Sequence, residues 1–83
     1  MDHRRADFDR FVSDNTDGLL RTAYLIVWDL PEAEDLVQET FLRAWKAYDR
    51  FEGKSSMRTW LHRIATNTCL TALEGRKRRP LPG

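Results

Sequence analysis

Apolar residues recur at helical spacing along most of the chain, and the alternation typical of β-strands never persists. The first helix is predicted over about residues 7–28. The second half of that helix, LLRTAYLIVW, is apolar on most faces and is therefore predicted to lie at the centre of the core. Asn15, Asp17 and Gly18 weaken its middle, since glycine costs about 1 kcal/mol relative to alanine inside a helix. A bend or break there is an open alternative. The predicted core stripe of this helix comprises Phe8, Phe11, Val12, Asn15, Leu19, Ala23 and Ile26.

The segment WDLPEAEDL carries the signals of a second helix start. Asp29 can cap the helix, and Pro31 suits the first turn because its missing N–H is not needed there. The carboxylates that follow favour the positive end of the helix dipole. The helix is predicted to run from near Pro31 to about Tyr48. Its inward face comprises Ala33, Leu36, Val37, Thr40, Phe41, Ala44, Trp45 and Tyr48.

The loop DRFEGKSSM separates this helix from a third one, for which Ser55 or Ser56 is the predicted cap. The third helix is predicted to run to about Leu73 and to end at Gly75. The prolines in the following RKRRPLPG predict a linker. The predicted core face comprises Trp60, Leu61, Ile64, Ala65, Thr68, Leu70 and Leu73. The fold class is therefore all-α, a compact bundle of three main helices with a loop before the last.

Length and composition restrict the function classes. Eighty-three residues form one small domain. The single cysteine, Cys69, excludes an internal disulfide, and a buried position is favoured for it over a reactive thiol. His3 and His62 lie far apart, so neither a metal nor another cofactor is predicted. The charged N-terminus is not followed by a signal-peptide apolar region, and no apolar run reaches about 18 residues. We expect a cytoplasmic protein without membrane insertion.

Charge is distributed unevenly along the chain. Residues 1–49 carry six Lys or Arg and eleven Asp or Glu, a balance of −5, whereas residues 50–83 carry eight and two, a balance of +6. This asymmetry indicates two surfaces with different partners, and the basic surface suits a polyanion such as nucleic acid. The alternative is that opposite charges only help the two halves to pack against each other.

The basic half contains candidate nucleic-acid ligands. Its Arg and Lys side chains could neutralise several phosphates, although a solvated tail would look the same. The loop offers compact hydroxyl groups, and Gly53 lets a ligand approach the backbone, so the loop could enclose a base pulled out of its stack. Asn67 could pair with a base edge, although a lone asparagine in a helix is more often a surface or capping residue. Trp60 and Ile64 lie at helical spacing, so Trp60 is assigned to the core and not to base stacking.

Taken together, AEDLVQETFLRAWKAYDRF and the following FEGKSSMRTWLHRIATN closely resemble region 2 of bacterial sigma factors, in the extracytoplasmic-function group of the sigma-70 family. The resemblance extends from about Phe8 to Arg79. Neither motif would suffice alone, but the combination is specific. The matching residues are Asp35, Gln38, Glu39, Phe41 and Trp45 in the first motif, and Arg58, Thr59, Trp60, Leu61, Arg63, Ile64, Ala65 and Asn67 in the second.

The resemblance implies that the second helix binds the clamp helices of the largest subunit of core RNA polymerase. The residues implied at that interface are Asp35, Gln38, Glu39, Leu42, Arg43 and Lys46. It also implies that the loop and third helix bind single-stranded nontemplate DNA of the minus-ten promoter element and capture a flipped base. The residues implied there are Lys54, Ser55, Ser56, Met57, Arg58, Thr59, His62, Arg63, Asn67, Thr71, Arg76, Lys77, Arg78 and Arg79.

Two departures from the family pattern stand out. Many members carry a second asparagine where this chain has Thr71, which leaves the preferred base open. The region 4 helix-turn-helix is missing, so the resemblance implies a region 2 domain over residues 1–79 and the start of a linker to a missing region 4 domain over residues 80–83. An anti-sigma factor is a further partner that the resemblance allows.

The expected function is promoter recognition and melting in transcription initiation. One alternative of a different class is a helical protein-interaction adaptor without DNA binding, in which the basic tail only increases solubility. Enzymatic activity is not predicted, because acid–base or nucleophilic chemistry needs grouped residues and the sequence offers no such group.

Overall fold

Three α-helices pack against one another, each contacting the other two. In the computed structural model α1 spans Arg4–Val27, α2 spans Leu30–Ala47 and α3 spans Met57–Arg78, and a 3₁₀ turn, Tyr48–Arg50, follows α2. The structure describes residues 3–51, 53 and 56–78, with side chains as far as residue 75. Within these residues no β-strand is present. The predicted all-α bundle of three helices with a loop before the last is confirmed.

Helix α1 is continuous through the polar segment at which a bend was an open alternative. The Asn15 side chain donates a hydrogen bond to the Phe11 carbonyl at 2.8 Å, and the Thr16 hydroxyl donates one to the Val12 carbonyl at 2.7 Å. Both side chains therefore bond to the preceding turn of their own helix, and the helix accommodates them without a break.

Local capping signals set the starts of α2 and α3. The Asp29 carboxylate accepts a hydrogen bond from the Glu32 N–H at 3.0 Å, and Pro31 lies in the first turn of α2. The Ser56 hydroxyl accepts a hydrogen bond from the Thr59 N–H at 3.1 Å just before α3. Both predicted caps are confirmed, and Ser56 fills the role for which Ser55 was the alternative.

The core lies along the axis of the bundle. The buried hydroxyls of Thr40 and Thr68 donate hydrogen bonds to the carbonyls of Leu36 and Ile64 in their own helices, which satisfies them without a partner from another helix. Cys69 is fully buried, and this burial raises the pKa of its thiol, as expected for an inert packing residue. The buried apolar residues are Phe8, Leu19, Ala23, Val27, Ala33, Leu36, Val37, Ala44, Leu61, Ala65 and Cys69.

One prediction about the core is wrong, and a second is confirmed only in part. Leu70 was assigned to the core face of α3, but it is 48% exposed. Leu70 follows Leu61 by nine residues, which at about 100° per residue places it on the opposite side of the helix. The second half of α1 contributes its buried residues from Leu19 to Val27 to the core, but Tyr24, Leu25 and Trp28 in the same segment are exposed. Two neighbouring helices cannot cover every face of α1.

The predicted end of α3 is wrong as well. The helix continues through Gly75 to Arg78, so it includes the first three residues of the segment interpreted as a linker. Gly75 does not adopt a left-handed backbone conformation, which is the conformation that ends a helix at glycine. A right-handed glycine costs only about 1 kcal/mol inside a helix, which is too little to end one by itself.

A cluster of aromatic rings joins the N-terminal end of α1 to the end of α2. The Phe8 ring lies 5.0 Å from the Trp45 ring and 5.2 Å from the Tyr48 ring, measured between centroids. The Arg4 guanidinium lies over the Trp45 ring and forms an ion pair with Asp49. This cluster fixes the angle between α1 and α2 at the end where the loop to α3 begins.

None of the described helices combines the length and hydropathy that crossing a bilayer requires.

Replacing Gly18 with alanine is expected to raise the free energy of unfolding by about 0.5–1 kcal/mol. Gly18 lies inside α1 in right-handed conformation, and an added Cβ would meet nothing within 4 Å. Urea denaturation measures the change. Gly53→Ala is the matched control, because Gly53 has a φ of 74° and alanine is strained there despite equally open space. Equal effects of the two substitutions would contradict this assignment of backbone conformations.

Candidate functional site

The exposed side of α3 presents a ridge of polar side chains, here called the α3 ridge. It comprises Thr59, Arg63, Asn67 and Thr71, which follow each other at intervals of four residues and are all exposed. Twelve residues of helix span about 18 Å, which equals the length of about five stacked bases. The Asn67 amide makes no hydrogen bond within the described part of the chain, so both its donor and its acceptor are available to a ligand.

The hydroxyl groups at the start of α3 have different roles. The Ser56 hydroxyl donates to Thr59 Oγ1 at 2.9 Å and accepts from the Thr59 N–H, so it is committed to capping. Thr59 Oγ1 accepts that bond and keeps its own hydroxyl hydrogen for an outside acceptor. Of these two candidate residues, Thr59 can offer a donor to a ligand while Ser56 holds the helix start in place.

Phe51 and Gly53, the two described residues between the 3₁₀ turn and Ser56, differ in their surroundings. Phe51 packs against Trp60 with 5.1 Å between ring centroids, and Trp60 is half-buried against the core. The assignment of Trp60 to the core is therefore confirmed. Gly53 is exposed, and its left-handed backbone leaves open space around the Cα. An added Cβ at Gly53 would meet no described atom within 4 Å apart from its chain neighbours, so a ligand has room to approach the backbone from that side.

Three of the implied DNA-binding residues stand apart from the α3 ridge. Arg58 is exposed and Met57 is half-buried, but both lie off the ridge in the first turn of α3. His62 is half-buried, and its Nε2 atom is buried without a hydrogen-bond partner among the described residues. At about 100° per residue, His62 lies on the other flank of the helix from Asn67.

Several implied DNA-binding residues cannot be compared with the structure in detail. Lys54, Ser55 and Arg79 lie outside the described residues. The backbone at positions 76–78 forms the last turn of α3, but the side chains of Arg76, Lys77 and Arg78 lie outside the description as well. Their contribution to a basic surface therefore stays a prediction from the sequence.

The outward side of α2 presents a second surface, here called the α2 surface. Its only ion pair among the described residues joins Arg43 to Glu39 at 3.2 Å, and both side chains are about half exposed. Leu42 is 63% exposed and stands among these charged residues. All six residues implied at the polymerase interface are exposed: Asp35, Gln38, Glu39, Leu42, Arg43 and Lys46.

An apolar groove of about 420 Å³ borders the α2 surface. Gln38 and Leu42 of α2 line it together with aromatic side chains from both helices. The sequence did not reveal this groove, because Phe8, Phe41 and Trp45 were all assigned to the core. The lining residues are Arg5, Phe8, Asp9, Val12, Gln38, Phe41, Leu42 and Trp45. A partner that binds the α2 surface would find apolar contacts beside the charged ones.

Within the described residues, no group of three or more His, Cys, Asp or Glu side chains could hold a metal ion. The described geometry thus offers two surfaces. One is a polar ridge with a free amide and a cation, suited to bases and phosphates. The other is an acidic and apolar helix face, suited to a protein.

The Sigma-70 region 2 family matches residues 11–79 of this chain. The ECF RNA polymerase sigma factor SigG of Mycobacterium tuberculosis (strain ATCC 25618 / H37Rv) is 65% identical over 81 residues, which cover 98% of this chain and 22% of that protein. The ECF RNA polymerase sigma-E factor of Escherichia coli (strain K12) is 44% identical over 61 residues, which cover 74% of this chain and 30% of that protein.

The RNA polymerase sigma-H factor of Pseudomonas aeruginosa is 41% identical over 73 residues, covering 88% of this chain and 38% of that protein. The chain therefore spans between about a fifth and two fifths of the length of these relatives. The family match over residues 11–79 includes both the α2 surface and the α3 ridge.

Proposed function

The chain is a region 2 domain of the sigma-70 family and belongs to its extracytoplasmic-function group, and from this premise we propose that it acts in transcription initiation by binding core RNA polymerase and the minus-ten promoter element. The observation that carries the proposal is the α3 ridge, where the unpaired Asn67 amide stands one turn from an exposed arginine. A domain that reads a base and also binds the neighbouring phosphate needs an amide and a cation close together.

On the DNA side, Asn67 reads a base of the nontemplate strand after that base has left its stack. An amide can donate and accept at once, so it can distinguish a base edge that offers the complementary pair. Arg63 and the basic residues at the end of α3 neutralise the neighbouring phosphates. The open backbone at Gly53 gives the flipped base a place beside the ridge.

The energetics favour recognition in the complex over recognition by the isolated domain. Unstacking a base costs a few kcal/mol, and contacts at the ridge must offset that cost. The domain alone therefore binds DNA weakly. Core polymerase holds the domain next to the promoter and so raises the effective concentration of the DNA at the domain. This increase compensates for the weak intrinsic affinity.

On the polymerase side, the α2 surface binds the clamp helices of the largest subunit. Asp35 and Glu39 provide negative charge for basic residues of the partner, and Leu42 provides an apolar contact. The exposure of all six implied residues supports this role, since none would need to leave the core. An anti-sigma factor that held the domain inactive would compete for the α2 surface and the α3 ridge.

Replacing Asn67 with alanine is expected to remove base preference and to weaken binding of the preferred strand by about 1–3 kcal/mol. The preferred sequence is not specified in advance, so the measurement starts from single-stranded oligonucleotides randomised over six positions. The complex of this chain with core polymerase captures them, and sequencing before and after capture gives the enrichment. The parent chain is expected to enrich a short motif. The variant is expected to enrich the same motif except at one position, where no base is preferred.

Arg63→Ala is the matched control on the same ridge. It should weaken binding of all sequences equally and reduce the dependence of log affinity on log salt by about 0.7, the slope for one phosphate contact on a single strand. If Asn67→Ala weakens all sequences equally as well, Asn67 does not read a base. If adding the parent chain to core polymerase causes no capture of any strand at moderate salt beyond that by core polymerase alone, the helical adaptor without DNA binding replaces this proposal.

A further inference from the structure

Four large apolar side chains lie exposed where α1 turns into α2, and we call them the turn patch. Trp28 is 72% exposed, Leu25 58%, Leu30 49% and Tyr24 39%. The rings of Tyr24 and Trp28 contact each other with 5.9 Å between centroids, so these two side chains form one surface at the end of α1. Neither the α2 surface nor the α3 ridge includes any of these residues. Large contiguous apolar patches on a protein surface mark interaction sites.

The backbone at Trp28 makes this exposure more informative. Trp28 ends α1 with a φ of 56°, the left-handed conformation that glycine adopts without cost. Among the described residues it is the only one other than glycine with positive φ. A bulky residue in this conformation is strained, and an exposed ring recovers little of that strain by packing within the domain. Tryptophan therefore costs stability here, which indicates that its ring serves a contact outside the domain.

The charges around the turn patch restrict the class of partner. Among the described side chains of the turn and of the first turns of α2, Asp29, Glu34 and Asp35 are exposed, and together with Arg21, one turn before Leu25 on α1, their balance is negative. These described charges disfavour nucleic acid and an anionic membrane. A second copy docking symmetrically through the patch would bring both sets of carboxylates together. The complementary partner is a protein that offers an apolar pocket with a basic rim.

The turn patch lies at the N-terminal end of the helix that carries the α2 surface. Pro31, which follows Leu30 of the patch, lies one and two helical turns before Asp35 and Gln38 on the exposed side of α2. A protein that binds the α2 surface and extends past Asp35 would therefore meet Leu30 at the N-terminal end of the helix. We propose that the turn patch is a second contact with core RNA polymerase and that Trp28 is its anchor. This inference rests on the proposed function.

An aromatic anchor would supplement the charged contacts of the α2 surface with salt-independent affinity. Tryptophan is the residue type most often found to dominate interface energetics, because a large ring is buried at small cost in side-chain entropy. Leu25 and Leu30 would flank the anchor and exclude water from it. The contribution of the α2 surface should weaken as salt screens charge, whereas that of Trp28 should persist.

The test uses Trp28→Gly and Trp28→Asn, two residues that tolerate the left-handed conformation. Both variants are expected to melt at or above the temperature of the parent chain, since the strain is relieved. Their affinity for purified bacterial core RNA polymerase, measured by biolayer interferometry, is expected to fall at least about tenfold. That ratio should be the same at low and high salt. Leu70→Ala is the matched control, because it removes another exposed apolar side chain, which lies on α3.

The outcomes separate this inference from the proposed function. If the parent chain and both Trp28 variants bind polymerase with equal affinity, the turn patch is not a contact and the proposed function stands. If the parent chain itself does not bind, the proposed function fails and this inference fails with it. Sedimentation of the free chain tests the alternative that a second copy of the chain covers the turn patch. A concentration-dependent dimer that Trp28→Gly abolishes would assign the patch to a second copy and overturn the inference.

Discussion

Replacing Leu61 with alanine is expected to lower the free energy of unfolding by about 2–5 kcal/mol. Leu61 lies in α3 and is one of the largest fully buried side chains of the domain. Its truncation removes apolar contacts and leaves a cavity that three helices cannot close without moving. The whole stability of a domain is about 5–15 kcal/mol, and a small domain lies near the lower end, so this variant should be close to unfolding at room temperature.

Urea denaturation followed by circular dichroism measures this effect. Leu70→Ala is the matched control, because the same substitution is made in the same helix on its exposed side. It should change stability by about 0.5 kcal/mol or less. Comparable losses at both positions would contradict the assignment of Leu61 to the core and of Leu70 to the surface.

Reversing the charge of Glu39 is expected to weaken binding to core RNA polymerase by about 2–5 kcal/mol, because like charges brought together at an interface cost several kcal/mol. Glu39→Lys removes a proposed contact and places a cation where the partner offers basic residues. It also breaks the exposed ion pair with Arg43, which contributes at most about 0.5 kcal/mol to stability. Nearly all of the effect should therefore appear in binding and not in folding.

Equilibrium binding of purified core polymerase to the immobilised chain measures the loss, and thermal unfolding checks that the variant is folded. Glu74→Lys is the matched control, since it reverses the same charge at an exposed position on α3, away from the α2 surface. Binding that is weakened equally by the two variants would indicate a nonspecific effect of net charge, and binding unchanged by both would contradict the role of the α2 surface.

Much of the fold could be predicted because its signals are local. Asp29 with Pro31 sets the start of α2, and Ser56 sets the start of α3, through hydrogen bonds that reach only three residues along the chain. Such signals do not depend on tertiary packing. The inward stripe of α2 was also predictable, because a regular amphipathic helix has only one apolar face to bury.

Other features could not be predicted because they depend on how many neighbours a helix has. The segment containing Leu25 and Trp28 is apolar on most faces, but α2 and α3 cover only part of it, and the remainder forms the turn patch. The end of α3 was missed for a different reason. Gly75 can end a helix or continue it, and a choice worth about 1 kcal/mol is decided by the rest of the structure.

The candidate site likewise contains features that could be predicted from the sequence and features that could not. The spacing of Arg63 and Asn67 predicts that they share one side of α3, and both are exposed there. The commitment of the Ser56 hydroxyl to capping and the position of His62 on another flank depend on side-chain geometry that spacing does not specify. The apolar groove beside Leu42 depends on the angle at which α1 crosses α2.

The most direct test of the central claim is a competition for core RNA polymerase. A labelled full-length sigma factor is bound to purified core polymerase, and this chain is added at increasing concentration while the bound label is measured. Displacement is expected to saturate with a single affinity, and Glu39→Lys is expected to reduce it. A folded parent chain that displaces no label at any concentration would contradict the claim that this domain binds polymerase as a sigma factor does.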